Sequence, residues 1–185
     1  MFIKPKLKNG AWTLLEMMVA VAVFAIAGGA VGSAYVFSLR SFQGLSNYAC
    51  LDQQNREAID RITREVRQAN SVSSFDNYLT RKLVIVSGDA NRSQITYTFN
   101  RYTQQLTRTQ NGKTDVLLNN CSLINFNLGM RPPNTNYGYY PTMDVNKAKI
   151  VDLTWKTSRS LPGSVVNSEN IQTARIVIRK QKVQQ

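Results

Sequence analysis

The stretch Gly10–Phe37, GAWTLLEMMVAVAVFAIAGGAVGSAYVF, decides how the rest of the chain is read. From Met17 to Phe37 only Gly28, Gly29, Gly32 and Ser33 fall outside the apolar set, and no charge appears between Glu16 and Arg40. At about 1.5 Å per helical residue this run is long enough to cross a bilayer core of about 30 Å. One ionisable side chain, Glu16, stands at its mouth. A carboxylate inside a membrane is costly and points to a function.

Upstream, Lys4, Lys6 and Lys8 form a basic leader with no acid among them. Positive charge before an apolar segment keeps that end in the cytoplasm and sends the remainder across. The apolar run exceeds the 7–15 residues of a secretory signal, which argues for a retained anchor. A plain signal anchor, however, gives no role to Glu16 or to the small pair Gly10-Ala11.

Downstream, Leu51, Ala58, Ile59, Ile62, Val66 and Ala69 lie on one face of a helix. Asp52, Arg56, Glu57, Asp60, Arg61, Arg64, Glu65 and Arg67 fill the other faces, read as a solvated surface. Glu57–Arg61 and Asp60–Arg64 have the favourable i,i+4 order. A helix from Thr13 to Ala69 would be roughly 85 Å long, with Gly28, Gly29, Gly32 and Gly44 as weak points. Asn70-Ser71 should end it.

After Ser71 the period changes to two. Strands are expected at Lys82–Ser87, Gln94–Asn100, Gln105–Thr109, Thr114–Leu118, Ser122–Leu128, Lys149–Lys156 and Ala174–Arg179. Asn111-Gly112 fits a tight hairpin turn. Arg131–Lys147 and Ser158–Glu169 read as loops. The first holds Tyr137, Tyr139 and Tyr140, either a contact surface or a loop laid over a sheet edge.

The formal charge is +12 with no histidine. From Arg40 onward 20 basic residues face 10 acidic ones, a net +10. That excess suits anionic partners, or is simply a soluble basic surface. Cys50 and Cys121 both follow the anchor; in an oxidising compartment they can pair, and otherwise they are two thiols. Without histidine there is no nucleophile–base triad. Acids beyond the helix are scattered: Asp76, Asp89, Asp115, Asp144, Asp152 and Glu169. No phosphate loop or calcium loop appears, so neither catalysis, nor a cofactor, nor a metal site is expected.

The N-terminus resembles the type IV prepilin signal shared by pilins, type II secretion pseudopilins and competence pilins. The basic leader, a small residue and the run Trp12-Thr13-Leu14-Leu15-Glu16 carry the resemblance. It implies that a prepilin peptidase cuts before the aromatic residue and methylates the new amine, with the glutamate fifth in the mature chain. Counting back from Glu16 puts the bond between Ala11 and Trp12; a cut after Gly10 would make Glu16 sixth. The resemblance also implies that Glu16 pairs with the new amine of a neighbouring subunit, against the plainer reading of a glutamate that reaches for the headgroups.

A narrower resemblance covers residues 57–128. "REAIDRITREVRQANSV", Ile95/Tyr97, Leu106/Arg108, Gly112 and Leu117/Leu118 look like the J-type minor pseudopilin and W-type minor pilin group. The fold expected is therefore α+β and pilin-like: a leader at 1–11, a membrane and filament-core helix at 12–39, an amphipathic continuation at 40–70 and a mainly β domain at 71–185. The implied role is a minor subunit that initiates or caps a pseudopilus or pilus. Its partners would be a prepilin peptidase, other pilins and the inner membrane, with the β domain periplasmic and later in the filament. The rivals are a nucleic-acid-binding competence pilin and a signal-anchored β domain that joins no filament.

Overall fold

The computed structural model describes residues 12–78, 81–131, 138–160 and 167–179. One helix, α1, spans Leu14–Gln68. Nine strands follow: β1 Ser71–Asp76, β2 Lys82–Val86, β3 Gln94–Asn100, β4 Gln105–Gln110, β5 Lys113–Leu118, β6 Cys121–Met130, β7 Tyr140–Thr142, β8 Ile150–Ser160 and β9 Asn167–Val177. The chain is α+β and pilin-like, a long apolar N-terminal helix with antiparallel sheets. It divides into two compact units, Met1–Gln43 and Gly44–Gln185.

In the first unit every described residue, from 12 to 43, is exposed. Phe24 is 80% exposed and Ile26 75%. α1 runs through Gly28, Gly29, Gly32 and Gly44 without interruption. By length and composition this helix is able to cross a membrane.

In the second unit, β1 to β5 form a meander in sequence order, and a second sheet runs β7-β6-β8-β9. All neighbours are antiparallel. Leu51, Ala58, Ile62 and Val66 of α1 are buried. Ala58, Ile62 and Val66 join a core with Leu83, Ile85, Tyr97 and Leu106 of the first sheet and Ile124, Phe126, Leu153 and Trp155 of the second. The expected inward residues of β6, β8 and the last strand face this core: Ile124, Phe126 and Leu128; Val151, Leu153 and Trp155; Ile176 of β9 and Ile178 just past its end, with Ala174 partly buried against them. Asn111 and Gly112 adopt φ of 52° and 77°, as a two-residue hairpin turn demands.

Several expectations need correction. The first strand, β1, was not expected, because Val72 and Phe75 are three residues apart, which breaks period two. A bulge between Val72 and Ser74 supplies the extra residue that returns both to the core side. Part of the tyrosine loop is β7, an edge strand that tolerates Pro141 because one side of it is unpaired. The second loop is shorter than expected: β8 runs on to Ser160 and β9 begins at Asn167. The helix charges also pair differently. Arg56 meets Asp52 at 2.7 Å, and Arg61 turns to Glu65 at 3.4 Å and Asp115 at 2.9 Å. Glu57 accepts instead from Gln53.

Candidate functional site

The start of α1 is built by a reciprocal cap. Thr13 donates from its backbone N–H to Glu16 Oε2 at 2.9 Å and from its hydroxyl to the same oxygen at 3.0 Å. The Glu16 N–H donates back to Thr13 Oγ1 at 3.3 Å. A helix leaves its first N–H groups without intrahelical partners, and a Thr three residues before a Glu satisfies two of them. The Thr-x-x-Glu spacing was visible in the sequence, so the cap could have been read there. It gives Glu16 a structural task that needs no neighbour. The cap occupies Oε2 alone; Oε1 has no hydrogen-bond partner among the described residues. The negative charge also lies at the positive end of the helix dipole. Trp12, one residue before the cap, is 73% exposed. Gly10 and Ala11 lie outside the described residues.

Residues 9–32 match the family described as "Prokaryotic N-terminal methylation motif". The N-terminus carries a prepilin-type signal motif. The motif is a structural one, with no enzymatic activity attached to it, and it implies processing by a prepilin peptidase and assembly with other pilin-type subunits. Together with the apolar helix it fits a membrane-anchored protein. No curated protein and no solved structure matches the chain.

The other sequence-derived residues lie in the second unit. Cys50 and Cys121 are free thiols, not a disulfide. Cys50 is half-buried on α1, 3.8 Å from the Arg159 guanidinium. Cys121 is fully buried and donates to the Leu123 carbonyl at 3.3 Å. Burial pushes its thiol up to about 11. Tyr139 and Tyr140 are half-exposed and line a recess on the second sheet, with Phe75 of β1, near the paired Asp152 and Arg175. Tyr137 lies outside the described residues.

Two polar contacts that sequence reasoning missed pin α1 to the sheets. Asn55 is fully buried; its Oδ1 accepts from Trp155 Nε1 at 2.8 Å and its Nδ2 donates to Thr157 Oγ1 at 2.9 Å. Ten residues further along α1, Glu65 accepts from Arg108 Nε at 2.9 Å and from the Tyr97 hydroxyl. Arg108 also donates to Gln110. Burial, then the Glu65 charge, holds the Tyr97 phenol well above its ordinary range. Burial opposes the Arg108 charge, but the hydrogen bond and attraction to Glu65 outweigh it and the net shift is upward.

Proposed function

We propose that this protein is a minor pilin-like subunit that helps initiate or cap a type II secretion pseudopilus or a type IV pilus. The observation that carries the reading is the methylation motif at 9–32 running directly into the helix whose first turn holds Glu16. A peptidase removes the leader between Ala11 and Trp12, and the new amine becomes part of the assembly interface. Residues 12–39 anchor the subunit in the inner membrane and later pack in the filament core. The β domain lies outside the cytoplasm and makes tip or cargo contacts. The minor-subunit assignment rests on the J-type and W-type likeness of residues 57–128.

Glu16 supplies the docking charge. Its Oε1 is open to an ammonium group while Oε2 keeps the helix cap. A buried carboxylate is tolerable only with an opposite charge beside it. An unpaired one would penalise a lone subunit, so pairing favours docking at a single axial register.

Co-expression with a prepilin peptidase, followed by N-terminal sequencing, tests the reading. The expected mature chain begins with N-methylated Trp12. A product that retains Lys4, Lys6 and Lys8 sinks it and leaves a signal-anchored domain. Glu16→Ala should be cleaved as the parent is but be missing from sheared filaments; normal incorporation would refute the docking role.

A further inference from the structure

The edges of the two sheets are β1, β5, β7 and β9. An open edge presents unpaired N–H and C=O groups, and folds blunt such edges with bulges, lysine, proline or short strands. β1 is bulged between Val72 and Ser74. β5 opens on Lys113 and its ladder with β4 is bulged. β7 has three residues and holds Pro141. β9 carries none of these devices. It runs for 11 residues, NSENIQTARIV, without proline or lysine, and keeps one register on β8 throughout. Among the described residues it pairs with no other strand.

In an antiparallel ladder alternate residues turn their N–H and C=O to opposite sides. The Ser158 N–H donates to the Asn120 carbonyl at 2.9 Å, so even-numbered residues of β8 face β6 and odd ones face β9. The Ile178 N–H donates to the Lys149 carbonyl at 2.9 Å, in the same register. Even-numbered residues of β9 are therefore bonded to β8. The backbone groups of Glu169, Ile171, Thr173, Arg175 and Val177 point off the sheet. The open lane ends at Arg179, whose N–H donates to the Arg67 carbonyl at the end of α1 at 3.4 Å.

The side chains of the same residues are exposed on one face. Ile171 is 64% exposed and Val177 40%. Glu169 Oε1 meets Lys156 Nζ at 2.8 Å, and Arg175 binds Asp152 through Nε and Nη2. Glu169 Oε2 and Arg175 Nη1 have no partner among the described residues. The edge thus displays, in order, an acid, an apolar residue, a threonine, a base and an apolar residue.

We infer that β9 takes up an extended segment of a partner protein as an added antiparallel strand of the second sheet. Backbone groups along such an edge supply affinity, and alternate side chains supply specificity. The matching segment carries an apolar residue opposite Val177, an acid opposite Arg175, an apolar residue opposite Ile171 and a base opposite Glu169. Opposite charges facing each other across strands are favourable and like charges are not. A second copy is not the occupant. A two-fold axis through the joined edges would run the two α1 helices in opposite directions, which chains anchored in one membrane cannot do. That exclusion rests on the anchored reading; the open edge does not.

The test uses full-length protein in detergent micelles and a blocked peptide, Val-Thr-Glu-Thr-Thr-Gln-Val-Thr-Lys, which places each partner in that register. Hydrogen exchange read by mass spectrometry should show slowed amides in the Glu169–Val177 fragment, and no change in β5, at peptide concentrations up to about 1 mM. A peptide of the same composition with its Glu and Lys exchanged should bind about tenfold more weakly. Thr173→Pro removes one outward N–H and fills the lane, a change an edge position tolerates. It should weaken the matched peptide at least about tenfold, with near-UV circular dichroism checking that the variant is folded. The inference is overturned if the matched peptide protects nothing, or if the exchanged peptide protects equally well. Folded Thr173→Pro protein that binds like the parent also overturns it. So do outward amides that are already slow without peptide, because another copy or this chain itself would then cover the edge.

Discussion

Asn55 sits on the same helical face as Leu51, Ala58 and Ile62, at a position where an apolar residue would ordinarily stand. It is tolerated because its amide is matched at both ends, to the Trp155 indole and the Thr157 hydroxyl. Asn55→Ala removes both partners and leaves a void, so it should cost about 2–4 kcal/mol, read as a lowered urea midpoint. A change within error would show that water replaces the amide freely. Tyr97 and Cys121 make a second case. Both are buried and neutral in the fold, and both have raised pKa values, from ordinary values of 10.0 and 9.0. Their contribution is full below the unfolded values and is lost as pH rises through the folded ones. The urea midpoint should therefore hold level up to about pH 9 and fall above it, less steeply in Tyr97→Phe. At pH 8 a thiol reagent should modify Cys50 quickly and Cys121 only after denaturation.

Among the elements, the β4–β5 hairpin depends most plainly on backbone chemistry. A Cβ added at Gly112 would meet nothing within 4 Å, so its cost is conformational alone. Gly112→Ala should lose about 1–2 kcal/mol through the left-handed φ it must keep, and a urea titration measures it. This turn, the strands with strict alternation and the apolar stripe of α1 were legible because each is set by local spacing. β1 was not, since its bulge disguises the period, and neither was β7, which is three residues long and contains Pro141. The cap at Thr13 and Glu16 is also local, set by the Thr-x-x-Glu spacing. Asn55 and Glu65 had no local signal at all. Their partners lie 100 and 43 residues away in the chain, and only the packed fold brings them together.

At the scale of the folded second unit, the helix is tied to each sheet by a different kind of polar contact. Asn55 serves the second sheet, and Glu65 serves the first through Arg108 and Tyr97. Glu65→Gln leaves the nearly buried Arg108 with only the more distant Asp115 carboxylate, 3.8 Å away, and should cost about 2–4 kcal/mol. If the two sheets and the helix unfold as one body, Asn55→Ala and Glu65→Gln will lower a single common midpoint, seen alike by tryptophan fluorescence and far-UV circular dichroism. Two separated transitions would mean that the sheets come off the helix independently. The same ties have a mechanical consequence. Apolar side chains slide past one another with little resistance, because any one greasy contact can be exchanged for the next. A directional bond cannot be exchanged in that way. Drawing α1 along its axis by one turn, about 5.4 Å, would rupture the indole–amide bond and the carboxylate–guanidinium bond before new partners came within reach. Traction on this helix is therefore borne in shear by two latches about 15 Å apart, and the fold resists being stripped from its own handle.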